Sequence, residues 1–151
     1  MNYWKPERKR SLVKNYVLDS YAMLAYFQNE AGADDVEKLL VEAAAGKAAL
    51  FMSVINYGEV AYIIQRKAGK EKKYLFLSIM NALPIEITGV DREFALGAAD
   101  IKAEHAISFG DCFALALARH VRGTVVTGDP EFEKVGNLVP IYWLPRKSRG
   151  R

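Results

Sequence analysis

The chain has 151 residues, enough for one domain with a sizeable core. Its single cysteine, Cys112, excludes an intramolecular disulfide and a cysteine-rich zinc site, and two isolated histidines, His105 and His120, do not supply one. No apolar run approaches the roughly 18 residues that would span a membrane, and the first residues lack the apolar core of a secretory signal, so a reducing cytoplasm is the expected compartment.

Net charge is +3, but its distribution says more. Lys5, Arg8, Lys9, Arg10 and Lys14 precede residue 15 with only Glu7 opposing them, and Arg146, Lys147, Arg149 and Arg151 close the chain with no acid. Residues 15–145 hold 12 basic and 17 acidic side chains, a net of −5. The expected organisation is a basic N-terminal extension over 1–14, a folded acidic body over 15–145 and a basic C-terminal tail over 146–151. Such tails suit either contact with nucleic acid phosphates or plain solvation.

Tyr16-Val17-Leu18 is predicted as a first strand, ending at Asp19-Ser20. The helix that follows has Tyr21, Leu24, Ala25 and Gln28 on one face, widened by Met23 and Phe27. Asp34-Asp35 opens a second helix, whose early acids suit the positive helix end and whose Val36, Leu39, Leu40 and Ala43 repeat at helical spacing. Ala49 to Met52 reads as a second strand. Ser53 then caps a helix that contains Glu59 and runs to about Lys67. Gly69 turns the chain into a further helix carrying Leu75, Phe76, Ile79, Met80 and Leu83. The pair forms a helical hairpin with a basic tip: Arg66, Lys67, Lys70, Lys72 and Lys73. That tip reads as ordinary surface charge or as an RNA-binding patch.

Pro84 to Thr88 is the third strand, and Asp91 begins a helix with Phe94, Ala95, Ala98, Ile101 and Lys102. Ser108-Phe109-Gly110-Asp111 opens another, which packs Phe113, Leu115, Leu117 and Ala118 inward and ends at Gly123. Thr124 to Thr127 is the fourth strand. Gly128 permits a sharp turn out of it, and Asp129 caps a short helix opened by Pro130. Val139 to Tyr142 is the fifth strand, which its proline places at a sheet edge. Strands alternating with helices predict a three-layer α/β/α fold around a mainly parallel sheet.

In such units a residue just after a strand and a residue at a helix start share the carboxyl edge of the sheet, where open α/β sheets bind ligands. Asp19 follows strand 1, Asp129 follows strand 4, Asp111 sits in the first turn of the helix before strand 4, and Glu59 lies early in the helix after strand 2. Each has a purely local reading. Asp19 and Asp129 cap helices, Ser108 and Asp111 fit a capping box, and Glu59 pairs with a surface lysine. Against this, Glu59 and Asp111 are embedded in apolar sequence, where an unpartnered carboxylate is costly. Clustered carboxylates raise one another's pKa, and a cation resolves the conflict. Oxygen-only ligands favour a hard ion, Mg²⁺ or Mn²⁺.

Leu18-Asp19-Ser20, the lone Glu59, Phe109-Gly110-Asp111-Cys112-Phe113-Ala114-Leu115-Ala116-Leu117-Ala118 and Val125-Val126-Thr127-Gly128-Asp129-Pro130-Glu131-Phe132 together resemble a PIN domain, and most closely the VapC-type toxin ribonucleases of toxin–antitoxin pairs. The resemblance spans residues 16–143. Cys112 departs from the alanine common at its position and reads as a small packing residue. The resemblance implies a five-stranded sheet of order 3-2-1-4-5, with Asp19 and Asp129 facing each other across the switch point. It implies an acidic quartet of Asp19, Glu59, Asp111 and Asp129, with Thr127 orienting a carboxylate or water. It also implies a homodimer, and an antitoxin peptide that holds the toxin inactive. The expected activity is Mg²⁺- or Mn²⁺-dependent hydrolysis of RNA phosphodiesters, leaving a 5′-phosphate and a 3′-hydroxyl. RNA is drawn in by the basic tip and tails. Neither His105 nor His120 is needed for this chemistry. The alternatives are an RNA-processing or quality-control nuclease of the same fold, or an inactive PIN-like RNA- or protein-binding module. A haloacid-dehalogenase-like enzyme would want D-x-D, where this chain reads Asp19-Ser20-Tyr21, and no G-K-S/T phosphate loop is present.

Overall fold

The computed structural model describes residues 13–146. The expected basic tails therefore fall outside the described residues, apart from Lys14 and Arg146. Five strands, β1 (Lys14–Leu18), β2 (Ala48–Ser53), β3 (Ile85–Thr88), β4 (Thr124–Thr127) and β5 (Ile141–Trp143), form one sheet of order β3-β2-β1-β4-β5. Every pairing is parallel. The expected strand order is the observed one. Six helices connect the strands: α1 (Ser20–Phe27), α2 (Ala33–Ala44), α3 (Val54–Ala68), α4 (Lys70–Ala82), α5 (Arg92–Glu104) and α6 (Phe109–Val121). A 3₁₀ turn over Pro130–Val135 leads toward β5.

A parallel sheet is buried on both faces, so neighbouring residues along a strand feed different cores. Val17 and Val125 pack with α5, α6 and the 3₁₀ turn through Ile101, Phe113, Leu117 and Phe132. Leu18 and Val126, one step on, pack with α1 to α4 through Met23, Val36, Val60 and Phe76. Removing a side chain of this size from water stabilises by about 1.5–3 kcal/mol. This burial on both sides fixes the register and hence the carboxyl edge.

That register pairs Val17 with Val125 and Leu18 with Val126. The next step brings Asp19, whose amide donates to the Val126 carbonyl at 3.4 Å, beside Thr127. β5 is an edge strand, as Pro140 requires. It begins one residue after that proline, whose carbonyl accepts from Val125 N–H at 3.0 Å.

Two readings of local sequence change. Gln28 is not on the packed face of α1, because the helix stops at Phe27 with Gln28 as its C-cap; Ala22, Met23 and Ala25 are buried, while Tyr21 and Leu24 are partly buried, packing against the same core and lining the cleft at its edge. Gly128 does not hold a left-handed backbone. Its lack of a side chain serves space instead, because a Cβ there would meet the Tyr21 ring at 2.4 Å. Among the described residues no helix is long and apolar enough to cross a membrane.

Candidate active site

A cleft of ≈ 320 Å³ opens at the carboxyl edge, lined by Asp19, Glu59, Asp111, Asp129 and Glu131 with Tyr21 at its side. The four carboxylates expected from the sequence thus reach one cleft, and a fifth joins them. Thr127 is fully buried beneath them.

Asp19 ends β1 and caps α1, its Oδ1 accepting from Ala22 N–H at 2.9 Å. Asp129 caps the 3₁₀ turn in the same way, accepting from Glu131 N–H at 2.9 Å. Each cap occupies one carboxylate oxygen, Oδ1, and a carboxylate has about four lone-pair sites. Capping and a second role are therefore compatible. Thr127 joins the two acids: its Oγ1 accepts from Asp129 N–H at 3.0 Å, and its hydroxyl donates toward the Asp19 carboxylate.

Asp111 stands at the third position of α6, where its amide donates to the Ser108 hydroxyl at 3.2 Å. Only this half of the expected capping box is found. Glu59 comes from α3, on the opposite layer. Its Oε1 accepts from the Ser20 hydroxyl and from Asn56 Nδ2 at 3.2 Å. Asn56 is fully buried and also donates to the Gly110 carbonyl at 3.1 Å, which ties α3 to the first turn of α6. The other Glu59 oxygen presses on Gly110, where a Cβ would lie 2.7 Å from it. Glycine at 110 is therefore what lets Glu59 approach Asp111.

Burial and mutual repulsion set the electrostatics. Asp19 is pushed up to about 8, by burial first, with Asp111 and Asp129 adding to it against the hydrogen bonds from Thr127 and Ala22. Asp111 is pushed up to about 6, again mainly by burial, with Asp129, Glu59 and Glu131 adding to it and Ser108 opposing. Burial also raises the Cys112 thiol, so Cys112 packs as a neutral core residue. His105 caps the end of α5, and the exposed His120 sits edge-on to Phe94; neither lines the cleft.

The convergence is looser than a closed coordination shell. Among the described residues no three His, Cys, Asp or Glu side chains stand close enough together to grip an ion at once. The donor chemistry nonetheless fits a hard divalent cation. All the candidate ligands are carboxylate oxygens, and two are held in surroundings that disfavour their charged form. A cation in the cleft would relieve that cost.

The sequence reading overlooked Ser20, Asn56 and Glu131 as parts of the site. Asn56 left a signal: a polar residue three positions before Glu59 within an apolar helix. Glu131 bears on Asp111 electrostatically, although its own carboxylate is held by Lys134 at 3.0 Å. The basic hairpin divides. Lys67 and Lys72 line a separate groove with Phe27 and Phe76, while Arg66 follows Glu59 and Ile63 at helical spacing on the cleft side of α3.

A fully parallel 3-2-1-4-5 sheet between two helical layers, with acids gathered at the carboxyl edge of its central strands, defines an open α/β protein built to bind at its switch point. The family model that matches it is the PIN domain, over residues 16–138, and the chain belongs to the PIN domain family. No curated protein sequence matches it. Solved structures share its fold at low identity. VapBC2 from Rickettsia felis, bound to a DNA fragment from its promoter, is 16% identical with a TM-score of 0.71, covering 87% of this chain and 99% of that one. DNA-bound VapBC from Salmonella typhimurium is 18% identical with a TM-score of 0.69, covering 86% and 98%. Mycobacterium tuberculosis VapC20, described as a sarcin–ricin loop cleaving toxin, is 17% identical with a TM-score of 0.65, covering 80% and 95%.

Proposed function

We propose that this PIN domain is a metal-dependent endoribonuclease and the toxin of a toxin–antitoxin pair, working in the cytoplasm as a homodimer. The observation that carries the nuclease reading is the acidic cleft, with two of its carboxylates pushed up to about 8 and about 6. Structural caps have no need of such burial. The toxin reading is supported by likeness in fold to toxin–antitoxin proteins.

Asp19, Asp111 and Asp129 would hold Mg²⁺ or Mn²⁺, with Glu59 completing the site. When bound, the ion supplies positive charge against the phosphate oxygens and makes water a stronger nucleophile at neutral pH. The chain's own residues prepare the geometry. Thr127 fixes the Asp19 carboxylate relative to the Asp129 backbone. Ser20 and Asn56 fix Glu59 on the opposite wall. The buried floor keeps bulk water from Asp19. Hydrolysis with in-line attack leaves a 5′-phosphate and a 3′-hydroxyl.

The test is incubation of the purified chain with defined RNAs in Mn²⁺ or in EDTA, followed by mapping of the ends. Cleavage in Mn²⁺ alone, absent in Asp19→Asn, supports the reading. Equal cleavage in EDTA or in the variant overturns it. Co-expression with the product of a small neighbouring gene tests the toxin assignment: rescue of growth supports it, and a chain that is harmless when expressed alone contradicts it.

A further inference from the structure

Tyr62 is a large aromatic side chain 50% exposed on α3, and neither the core nor the acidic cleft uses it. It lies one helical turn from Glu59, about 4.5 Å along the axis. The Arg66 guanidinium covers one face of its ring at 5.3 Å from the centroid. Arg66 pairs with no carboxylate among the described residues, where the two ion pairs are Lys134–Glu131 and Arg146–Glu133. The two side chains thus form a short platform: a half-exposed ring with a cation over one face, the guanidinium itself unpaired with any carboxylate among the described residues and able to take a phosphate bidentately.

The surrounding charge selects the partner. The body of the chain is net acidic, yet residues 66–73 carry five basic side chains against Glu71. An acidic cleft repels a phosphate chain, so attraction has to come from its border. Of the five basic residues, Arg66 is the one that continues the stripe of Glu59 and Ile63, both of which line the cleft. A polyanion with flat, unstacked rings matches this border; a duplex keeps its base faces stacked against one another.

We infer that Tyr62 and Arg66 form a landing platform beside the cleft for single-stranded RNA, Tyr62 stacking a base that flanks the cleaved bond and Arg66 holding the adjacent phosphate. This rests on the ribonuclease reading for its choice of RNA, but binding is measured without cleavage.

The experiment uses the full chain carrying Asp111→Asn, titrated onto a fluorescent single-stranded RNA and onto the same sequence as a duplex, at several salt concentrations. Base–aromatic stacking is worth about 1–3 kcal/mol, so Tyr62→Ala should weaken single-strand binding roughly 5- to 150-fold. Tyr62→Phe should restore it, because the ring and not the hydroxyl does the stacking. Duplex binding should be unchanged by either variant. Arg66→Ala should lower the salt slope by about one phosphate contact. Unchanged single-strand affinity in Tyr62→Ala overturns the inference. So does an equal loss for single strand and duplex, or a variant that changes only the sedimentation of the chain; that last result would make this face a protein interface. If binding is as described but the chain with Asp111 intact cuts no RNA in Mn²⁺, the ribonuclease reading fails and this one stands.

Discussion

Replacing Asp19 by Asn should stabilise the metal-free protein while abolishing its activity. Asn caps a helix as well as Asp does, so the bond from Ala22 N–H survives the change. The hydroxyl of Thr127 can still donate to the amide oxygen. What disappears is the cost of a charge beneath the cleft. The folded-state pKa of Asp19 lies at about 8, against an ordinary 3.8. The native state therefore binds more protons than the unfolded chain between these values, and stability falls as pH rises through that window. At pH 7 about three units of it have been crossed, so the penalty is of order 4 kcal/mol at most. Wild-type protein in EDTA should lose stability from pH 4 to pH 8 in urea denaturation, and Asp19→Asn should show a shallower slope and a higher midpoint at pH 7. Saturating Mn²⁺ should stabilise the wild type and do much less for the variant. A wild-type stability that is flat across this range, or a variant less stable than wild type at pH 7, would refute the burial account of Asp19.

Gly110→Ala places a methyl group 2.7 Å from a Glu59 oxygen, so the carboxylate must leave its seat. The melting temperature should change little, since Ala favours helix. Turnover of a short RNA should fall by about 10- to 100-fold, as expected for a displacement near 1 Å, and wild-type turnover would show that the seat of Glu59 is dispensable. Asn56→Asp replaces a buried donor with a carboxylate that, when ionised, only accepts, facing two acceptors, Glu59 and the Gly110 carbonyl. It should cost about 3 kcal/mol or more at pH 8 and less at pH 5, where protonation restores the donor; equal cost at both values in urea melts would contradict this. Asp111→Asn should keep the fold by circular dichroism and lose cleavage, and full activity would remove Asp111 from the mechanism.

The central strands were legible as short, largely apolar runs between turn signals, whereas their order in the sheet came only with the resemblance to the PIN domain. The positions of Asp19 and Asp129 follow from strand ends alone. Less could be read where apolar residues face a cleft as well as a core. Tyr21 and Leu24 pack against the core as expected, but their hydrophobicity does not show that they also line the cleft. Gly128 looked like a turn residue because a sequence shows no neighbour; the ring of Tyr21, which needs that space, is distant along the chain. The hold of Asn56 on both Glu59 and Gly110 is likewise a contact across layers, which helical spacing only hints at. Topology could bring the acids to one edge, but it could not say how tightly they close.

Calorimetric titration of Mn²⁺ into the metal-free full chain tests the central claim most directly. Saturable binding that is lost in both Asp19→Asn and Asp111→Asn is the expected result. Absence of saturable binding, or binding undiminished in both variants, would contradict the assignment of this cleft as a divalent-ion nuclease centre.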